Sequence, residues 1–215
     1  MHPAGSVDIV RMSERLLSAL ETQRLIVTSA LREQIRALFR SAGTLDHDRI
    51  AERVVSYVWL FGGDSAPQIL VELDRVTQGV FGFAPRDRTI PITGEASIVV
   101  ARTEAKRLAM KMGFRPVLQT KVATAASELS RNIYMYAGEG EIILQVRTTP
   151  RNGIAVIARD RGPGIADVQA VLAGQFQSRT GMGMGLRGVR SIADAFSIRS
   201  VPGEGTEVIA EFYRT

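Results

Sequence analysis

The stretch Ile154-Ala155-Val156-Ile157-Ala158-Arg159-Asp160-Arg161-Gly162-Pro163-Gly164-Ile165 decides how this chain folds. Its five successive apolar residues, with β-branched Ile154, Val156 and Ile157 among them, suit a buried strand. The Gly-Pro-Gly that follows ends the strand and leaves Asp160 at its tip. A carboxylate placed there can meet a ligand amine, while the bare glycine backbone lets the ligand come close. The plainer reading is a connector whose turn is capped by the Asp.

Upstream of this strand lies a partner over 141–149, joined through Pro150-Arg151-Asn152-Gly153; Asn-Gly is a strong hairpin signal. Further back, Arg88–Ile92 alternates as a short strand, and Thr93-Gly94 opens a helix over 95–112 that Gly113 stops. Pro116 starts a second helix, 117–135, with Leu118, Val122, Ala125, Leu129 and Ile133 on its buried face and Gly138 to Gly140 closing it. Downstream, a Gly-rich region (161–188) holds a short helix near 166–172. A helix over Leu186–Asp194 follows, then two strands, 196–201 and 206–213, around Pro202-Gly203-Glu204-Gly205. The order βααββ-loop-αββ predicts an α+β, two-layer α/β sandwich with helices on one face of a mixed or antiparallel sheet.

Residues 6 to about 80 read differently, as four helices with short connections, a hairpin or small bundle. Ile50, Val54, Val58 and Phe61 form one stripe before Gly62-Gly63; Ser65 is placed to cap a helix with Pro67 in its first turn and Ile69, Leu73, Val76 and Val80 on one face. Leu31, Ile35 and Leu38 mark another stripe, and Ile26-Val27-Thr28 offers a break within 7–40. The expected division is a small all-α domain, 1–85, with a dimerisation, sensing or docking role, followed by an α+β domain, 86–215. So many apolar faces in about 80 residues favour a homodimer through these helices.

Composition sets outer limits. The chain has 215 residues, 45% hydrophobic, 23% charged and 6% aromatic, which excludes a mainly disordered, collagenous or coiled-coil protein. No apolar run approaches the ~18–20 residues of a membrane span, and Met1–Gly5 shows no basic region followed by an apolar one, so a cytoplasmic protein without membrane attachment is expected. With no cysteine, disulfides, zinc–thiolate sites, iron–sulfur clusters and cysteine nucleophiles are all excluded. Two histidines, His2 and His47, leave little for a histidine metal site or a Ser-His-Asp triad. The net charge of +5 is uneven: residues 1–85 hold 9 basic and 10 acidic side chains, residues 86–215 hold 18 and 12. A basic second portion suits a nucleotide phosphate or an acidic partner; without a Lys/Arg run or interleaved aromatics, nucleic acid is not the expected ligand.

Two further features join Asp160. Glu128 and Asn132 are four apart on the predicted helix 117–135, so a carboxylate and an amide share one face, suited to activating a hydroxyl and holding Mg²⁺. Thr180-Gly181-Met182-Gly183-Met184-Gly185-Leu186 runs into a helix, where free backbone N–H groups and a helix N-terminus can cradle phosphates. Gly183-x-Gly185-x-x-Gly188 formally matches a dinucleotide fingerprint, but the preceding Gln175–Thr180 is polar loop rather than strand, and no Gly-Lys-Ser/Thr is present.

Glu-x-x-x-Asn, Asp-x-Gly-x-Gly, Gly-x-Gly-x-Gly and finally Gly205-Thr206, in this order and with these elements between them, resemble the four nucleotide boxes of the GHKL (Bergerat-fold) ATPases. Glu128–Tyr136 (ELSRNIYMY), Ile98–Arg102 and Ser200–Thr206 are similar to one branch, the RsbT-type serine/threonine kinases of bacterial stress-response partner switching. The resemblance covers residues 86–215 and leaves 1–85 outside. It implies that Asp160 bonds the adenine amine, with Gly164 beneath the base and Thr206 assisting through a water, and that Gly162, Ile165 and Leu186 complete the nucleotide contacts. It implies Asn132 as the Mg²⁺ ligand, Gly181, Gly183 and Gly185 as the ATP lid, and Glu128 as the general base toward a Ser or Thr hydroxyl. Arg179 and Arg187 flank the lid, a position from which they could meet the γ-phosphate. Met182 and Met184 stand where leucines are common, suggesting a looser lid. The implied acceptor is a STAS-domain antagonist protein, with a regulatory phosphatase or a sigma factor as further partner. A histidine kinase using His47-Asp48, and an anti-sigma factor acting mainly by binding, are the alternatives.

Overall fold

The computed structural model describes residues 9–23, 29–40, 47–77, 79, 82–147, 151–174 and 185–214. By packing, the chain forms two units: Met1–Pro85 with Lys111–Gly113, and Arg86–Met110 with Phe114–Thr215.

The first unit is helical: α1 (Ile9–Thr22), α2 (Ser29–Arg40), α3 (His47–Gly62), a single 3₁₀ turn (Gly63–Ser65) and α4 (Ala66–Val76). Its core gathers Leu16, Leu17, Leu20, Ile35, Ile50, Val54, Val58, Leu70 and Leu73. Phe61, expected on the buried stripe of α3, is 53% exposed. The covered band instead leans toward Ala51, Val55 and Trp59, which puts Phe61 at its edge, tilted against Tyr57 with ring centroids 4.6 Å apart. The Trp59 indole N–H donates to the Lys111 carbonyl at 2.7 Å. Ser65 does not cap α4 with its side chain: the 3₁₀ turn runs directly into the helix, so Ser65 has helical backbone angles (φ −81°, ψ −6°) and no N-cap geometry. Pro67 does fall in the first turn. Asp74, buried, accepts the backbone N–H groups of Phe83 and Ala84 and so ties down the segment after α4. Val80, Ile26-Val27-Thr28 and the side chains of Leu31, Leu38 and His47 lie outside the described residues.

The second unit is the predicted sandwich. Five strands, β1 (Arg88–Ile92), β2 (Gly140–Arg147), β3 (Gly153–Asp160), β4 (Ala195–Val201) and β5 (Gly205–Tyr213), form one sheet in the order β1-β2-β3-β5-β4. Every neighbouring pair is antiparallel, which settles the mixed-or-antiparallel alternative. The helices are α5 (Glu95–Lys111), α6 (Pro116–Asn132), α7 (Val168–Leu172) and α8 (Gly185–Ile192). Side chains alternate across the sheet, so Ile90, Ile142, Ala158 and Val208 form one buried row and Leu144, Val156 and Ala210 the next. Against them α6 presents Val122, Ala125, Ala126 and Leu129, all buried, whereas Leu118, in its first turn, is half-buried. The α-helix ends at Asn132 rather than 135; Ile133–Ala137 widen into a π-turn that Gly138 (φ 82°) closes by donating its N–H to the Ile133 carbonyl at 2.9 Å. Strand β2 is described to Arg147, and Pro150 of the expected hairpin turn lies outside the described residues, while Gly153 pairs with Arg147 at the start of β3.

Candidate nucleotide site

The register of the sheet assembles one wall of the site. Ile92, Gly140, Asp160, Thr206 and Ser200 lie side by side across five strands, so their side chains share the helix-facing side of the sheet at its β3 C-terminal end. Asp160 is half-buried, and its Oδ1 accepts the Gly162 N–H at 2.9 Å, which fixes the carboxylate over the loop that follows. That loop is tied down twice more: the Gly203 N–H donates to the Pro163 carbonyl at 2.8 Å, and the Ile165 N–H donates to Ser200 Oγ at 2.8 Å. Gly164 has φ 69°, and a Cβ there would strike the Val201 carbonyl, so only glycine lets the loop pass the end of β4. Gly162 passes equally close to Ala137 of the π-turn.

The second wall is α6. Glu128 and Asn132, both half-buried, are one turn apart on the helix, as expected. Glu128 Oε2 accepts the N–H of Gly185, the first residue of α8, at 3.3 Å. A carboxylate at a helix N-terminus is favoured by the unsatisfied N–H groups there. The Asn132 side chain makes no hydrogen bond among the described residues, which leaves its amide oxygen uncommitted. Also among the described residues, no three acidic or histidine side chains gather as a metal cage. One amide oxygen fits Mg²⁺ all the same, since that ion commonly takes one or two protein ligands and the rest from phosphates and water.

The third wall is partly described. Gly185 and Leu186 begin α8, with Leu186 half-buried. Arg187 is exposed, its guanidinium against the backbone of Gly174 after α7. Arg179, Gly181, Met182, Gly183 and Met184 lie outside the described residues. Asp160, Gly205 and Thr206 also border an open cleft of about 800 Å³ at the end of the sheet, which Glu141, Arg159 and Glu207 line as well. Neither Glu128 nor Asn132 borders that cleft.

One residue of the resembling stretch Ser200–Thr206 had been given no role. Ser200 contacts Thr206 Oγ1 at 2.8 Å besides holding Ile165. Strand parity was the available signal: positions 200 and 206 face each other across a hairpin whose turn is Pro202-Gly203-Glu204.

The sequence of residues 93–212 matches the family model described as a histidine kinase-like ATPase domain. The chain belongs to this family. Within the histidine kinase-like ATPases it is 46% identical over 122 residues to the serine/threonine-protein kinase RsbT of Bacillus subtilis (strain 168), an alignment that spans 56% of this chain and 92% of that kinase. It is therefore of the RsbT type, in the serine/threonine-protein kinase class, and the ATPase domain it shares implies the use of ATP. Among solved structures, the histidine kinase domain of a blue-light activated histidine kinase from Erythrobacter litoralis EL346 aligns over 95% of this chain and 93% of that one, at 15% identity and a TM-score of 0.35. No helix among the described residues is long and apolar enough to cross a membrane.

Proposed function

We propose that this ATPase domain transfers the γ-phosphoryl group of ATP to a Ser or Thr hydroxyl of a STAS-domain antagonist protein in a bacterial partner-switching module. The observation that carries the reading is the Glu128–Asn132 pair on α6, set beside the Asp160 wall and the start of α8, in a chain 46% identical to an RsbT kinase. In this reading Asp160 bonds the adenine amine, Gly162, Gly164 and Ile165 shape the backbone near the base, and Thr206 assists from the neighbouring strand. Asn132 holds Mg²⁺, which when bound neutralises charge on the phosphates. Gly181, Gly183, Gly185 and Leu186 follow the phosphates as the lid, with Arg179 and Arg187 toward the γ-phosphate.

Glu128 accepts the proton of the attacking hydroxyl as its oxygen bonds to phosphorus, and the bond from phosphorus to the β–γ bridging oxygen breaks to leave ADP. For this its Oε2 must turn from the Gly185 N–H toward the acceptor. Phosphorylation adds about −1.5 to −2 charge to the acceptor and changes which partner it prefers. The kinase is then free for a regulatory phosphatase, and the 1–85 helices serve as a docking, sensing or dimerisation module. The protein works in the cytoplasm.

The test is transfer of labelled phosphate from ATP to purified STAS-domain proteins, followed by acid treatment. An acid-stable product, lost in Glu128→Ala and in Asn132→Ala, is expected. An acid-labile product overturns the hydroxyl acceptor in favour of a histidine. Capture of a sigma factor with no transfer to any STAS protein assigns a binding role instead.

A further inference from the structure

The first unit is not built from residues 1–85 alone: Lys111–Gly113, where α5 ends, belong to it as well. The chain passes into the second unit at Arg86, returns for three residues and leaves again toward α6. Trp59 of α3 holds that return. Its side chain is buried, and its N–H donates at 2.7 Å to the carbonyl of Lys111, the last residue of α5. A helix leaves its last four carbonyls without an intrahelical donor, so the indole caps α5 from a distant part of the sequence. Gly113 (φ 66°) then turns the chain, and a Cβ there would strike the indole ring. Met112 between them is fully buried.

From this grip to α6 the chain is short and stiff. The Phe114 N–H donates to the Ala109 carbonyl at 3.0 Å and closes the end of α5, and the Gln119 side chain donates to the Phe114 carbonyl at 2.7 Å and fastens the start of α6. α6 then runs unbroken from Pro116 to Asn132, 17 residues or about 25 Å, with Glu128 and Asn132 toward its far end. Of its six buried residues Ala123, Ala125 and Ala126 are alanines, so it meets its surroundings through shallow ridges. Such a contact resists sliding along the helix axis weakly, which leaves the axial position of α6 to whatever holds its first turn.

We infer that Trp59 is a positioning residue of the kinase: through the α5–α6 turn it sets the axial position of α6 and with it the placement of Glu128 and Asn132. The inference rests on the Glu128–Asn132 reading proposed above and gives the helices of the first unit their regulatory role. A ligand of that unit that displaces Trp59 changes transfer, and by linkage Mg²⁺ with ATP changes the surroundings of Trp59. Asp160 and Thr206 stand on β3 and β5 and not on α6, so nucleotide binding that depends on them alone is indifferent to Trp59.

The experiment uses the full chain, whose single tryptophan makes selective indole emission a report on Trp59 alone. Adding Mg²⁺ and ATP should change that emission, with the midpoint found separately by displacement of a fluorescent ATP analogue. Trp59→Phe keeps a ring beside Gly113 and removes the N–H. It should leave ATP affinity without Mg²⁺ unchanged, while the gain in affinity from Mg²⁺ and the single-turnover transfer rate each fall about fivefold, the scale of one hydrogen bond. Trp59→Ala should lose more of both; should it fail to fold, Trp59→Phe decides alone. Emission that ignores bound Mg²⁺ and ATP, or Trp59→Phe with the original Mg²⁺ gain and transfer rate, overturns the inference. So does a parallel fall in affinity with and without Mg²⁺, the mark of a merely structural contact. Asn132→Ala separates the two levels. A Mg²⁺ gain that persists there removes the α6 site and this inference with it, whereas a gain lost there but intact in Trp59→Phe removes only the inference.

Discussion

Replacing Glu128 by Ala should move nucleotide binding and phosphoryl transfer in opposite directions. The carboxylate is half-buried and accepts the Gly185 N–H at 3.3 Å, at the long end for a hydrogen bond. A charge-assisted bond of that length contributes about 1 kcal/mol, or roughly fivefold in an equilibrium constant. That stabilises an arrangement in which the first N–H of α8, a natural seat for phosphate, is occupied by a side chain. Glu128→Ala vacates the seat and removes a negative charge from beside the triphosphate, so ATP should bind about fivefold more tightly, the gain expected from losing that one bond. Transfer should fall ~10²–10⁴-fold for loss of the general base. Glu128→Gln keeps a weaker, neutral acceptor, so it should slow transfer as much while gaining less affinity. Fluorescent-nucleotide titration gives the first quantity and single-turnover transfer to a STAS acceptor the second. Weaker ATP binding in Glu128→Ala would show that the carboxylate supports the nucleotide instead of competing with it. Undiminished transfer would take the base role away from it.

Asn132→Ala should abolish transfer and make ATP affinity independent of Mg²⁺; titrations with and without the ion check this, and a persisting Mg²⁺ effect would move the metal ligand elsewhere. Gly164→Ala places a side chain at φ 69° against the Val201 carbonyl, so it should cost at least ~1–2 kcal/mol in urea unfolding and weaken ATP. Stability equal to the original chain would mean the loop can pass β4 by another route. Asp74→Ala strips the buried Phe83 and Ala84 N–H groups of their acceptor and should destabilise the first unit by ~2–4 kcal/mol, read from urea unfolding followed by the fluorescence of Trp59. A midpoint unmoved by that change would count against the clamp.

The strands and α6 were legible because period and punctuation agreed. Gly153–Asp160 is apolar on both faces and bounded by glycines, and α6 starts at a proline with its apolar residues at helical spacing. Less was legible where tertiary context chose between equal options. Phe61 fits the α3 stripe by spacing, but the covered band turned toward Trp59. Ser65 is a good capping residue in the wrong backbone conformation, because nothing local announces the 3₁₀ turn before it. The π-turn at Ile133–Ala137 could not be read from period either, since one widened turn changes neither composition nor the apolar stripe above it. Among the candidate residues, Glu128, Asn132 and Asp160 stand out in the sequence through their chemistry. Ser200 lies in the quoted stretch Ser200–Thr206, but its contacts were not legible because a serine in a strand is ordinary until its neighbours are known.

A shift of one residue along the strands separates the site from a surface of different character, and this explains why parity matters more here than residue type. The row Ile92, Gly140, Asp160, Thr206 and Ser200 faces the helices, and its polar members bond to the loop backbone or to each other. The adjacent row, Pro91, Glu141, Arg159, Glu207 and Arg199, faces the other way and alternates in charge from β2 to β4, with Arg159 and Glu207 in direct contact at 2.5 Å. Exposed cross-strand pairs of this kind contribute little each, but they discourage a register slip, since a slip of one would bury four charges against α6. The same slip would turn Asp160 and Thr206 to the open face. The charged row therefore helps to hold the register of the Asp160–Thr206 row on the opposite face. On this argument Arg159→Ile and Glu207→Val together should cost little stability in the native register, while making the β3–β5 pairing less strictly specified during folding.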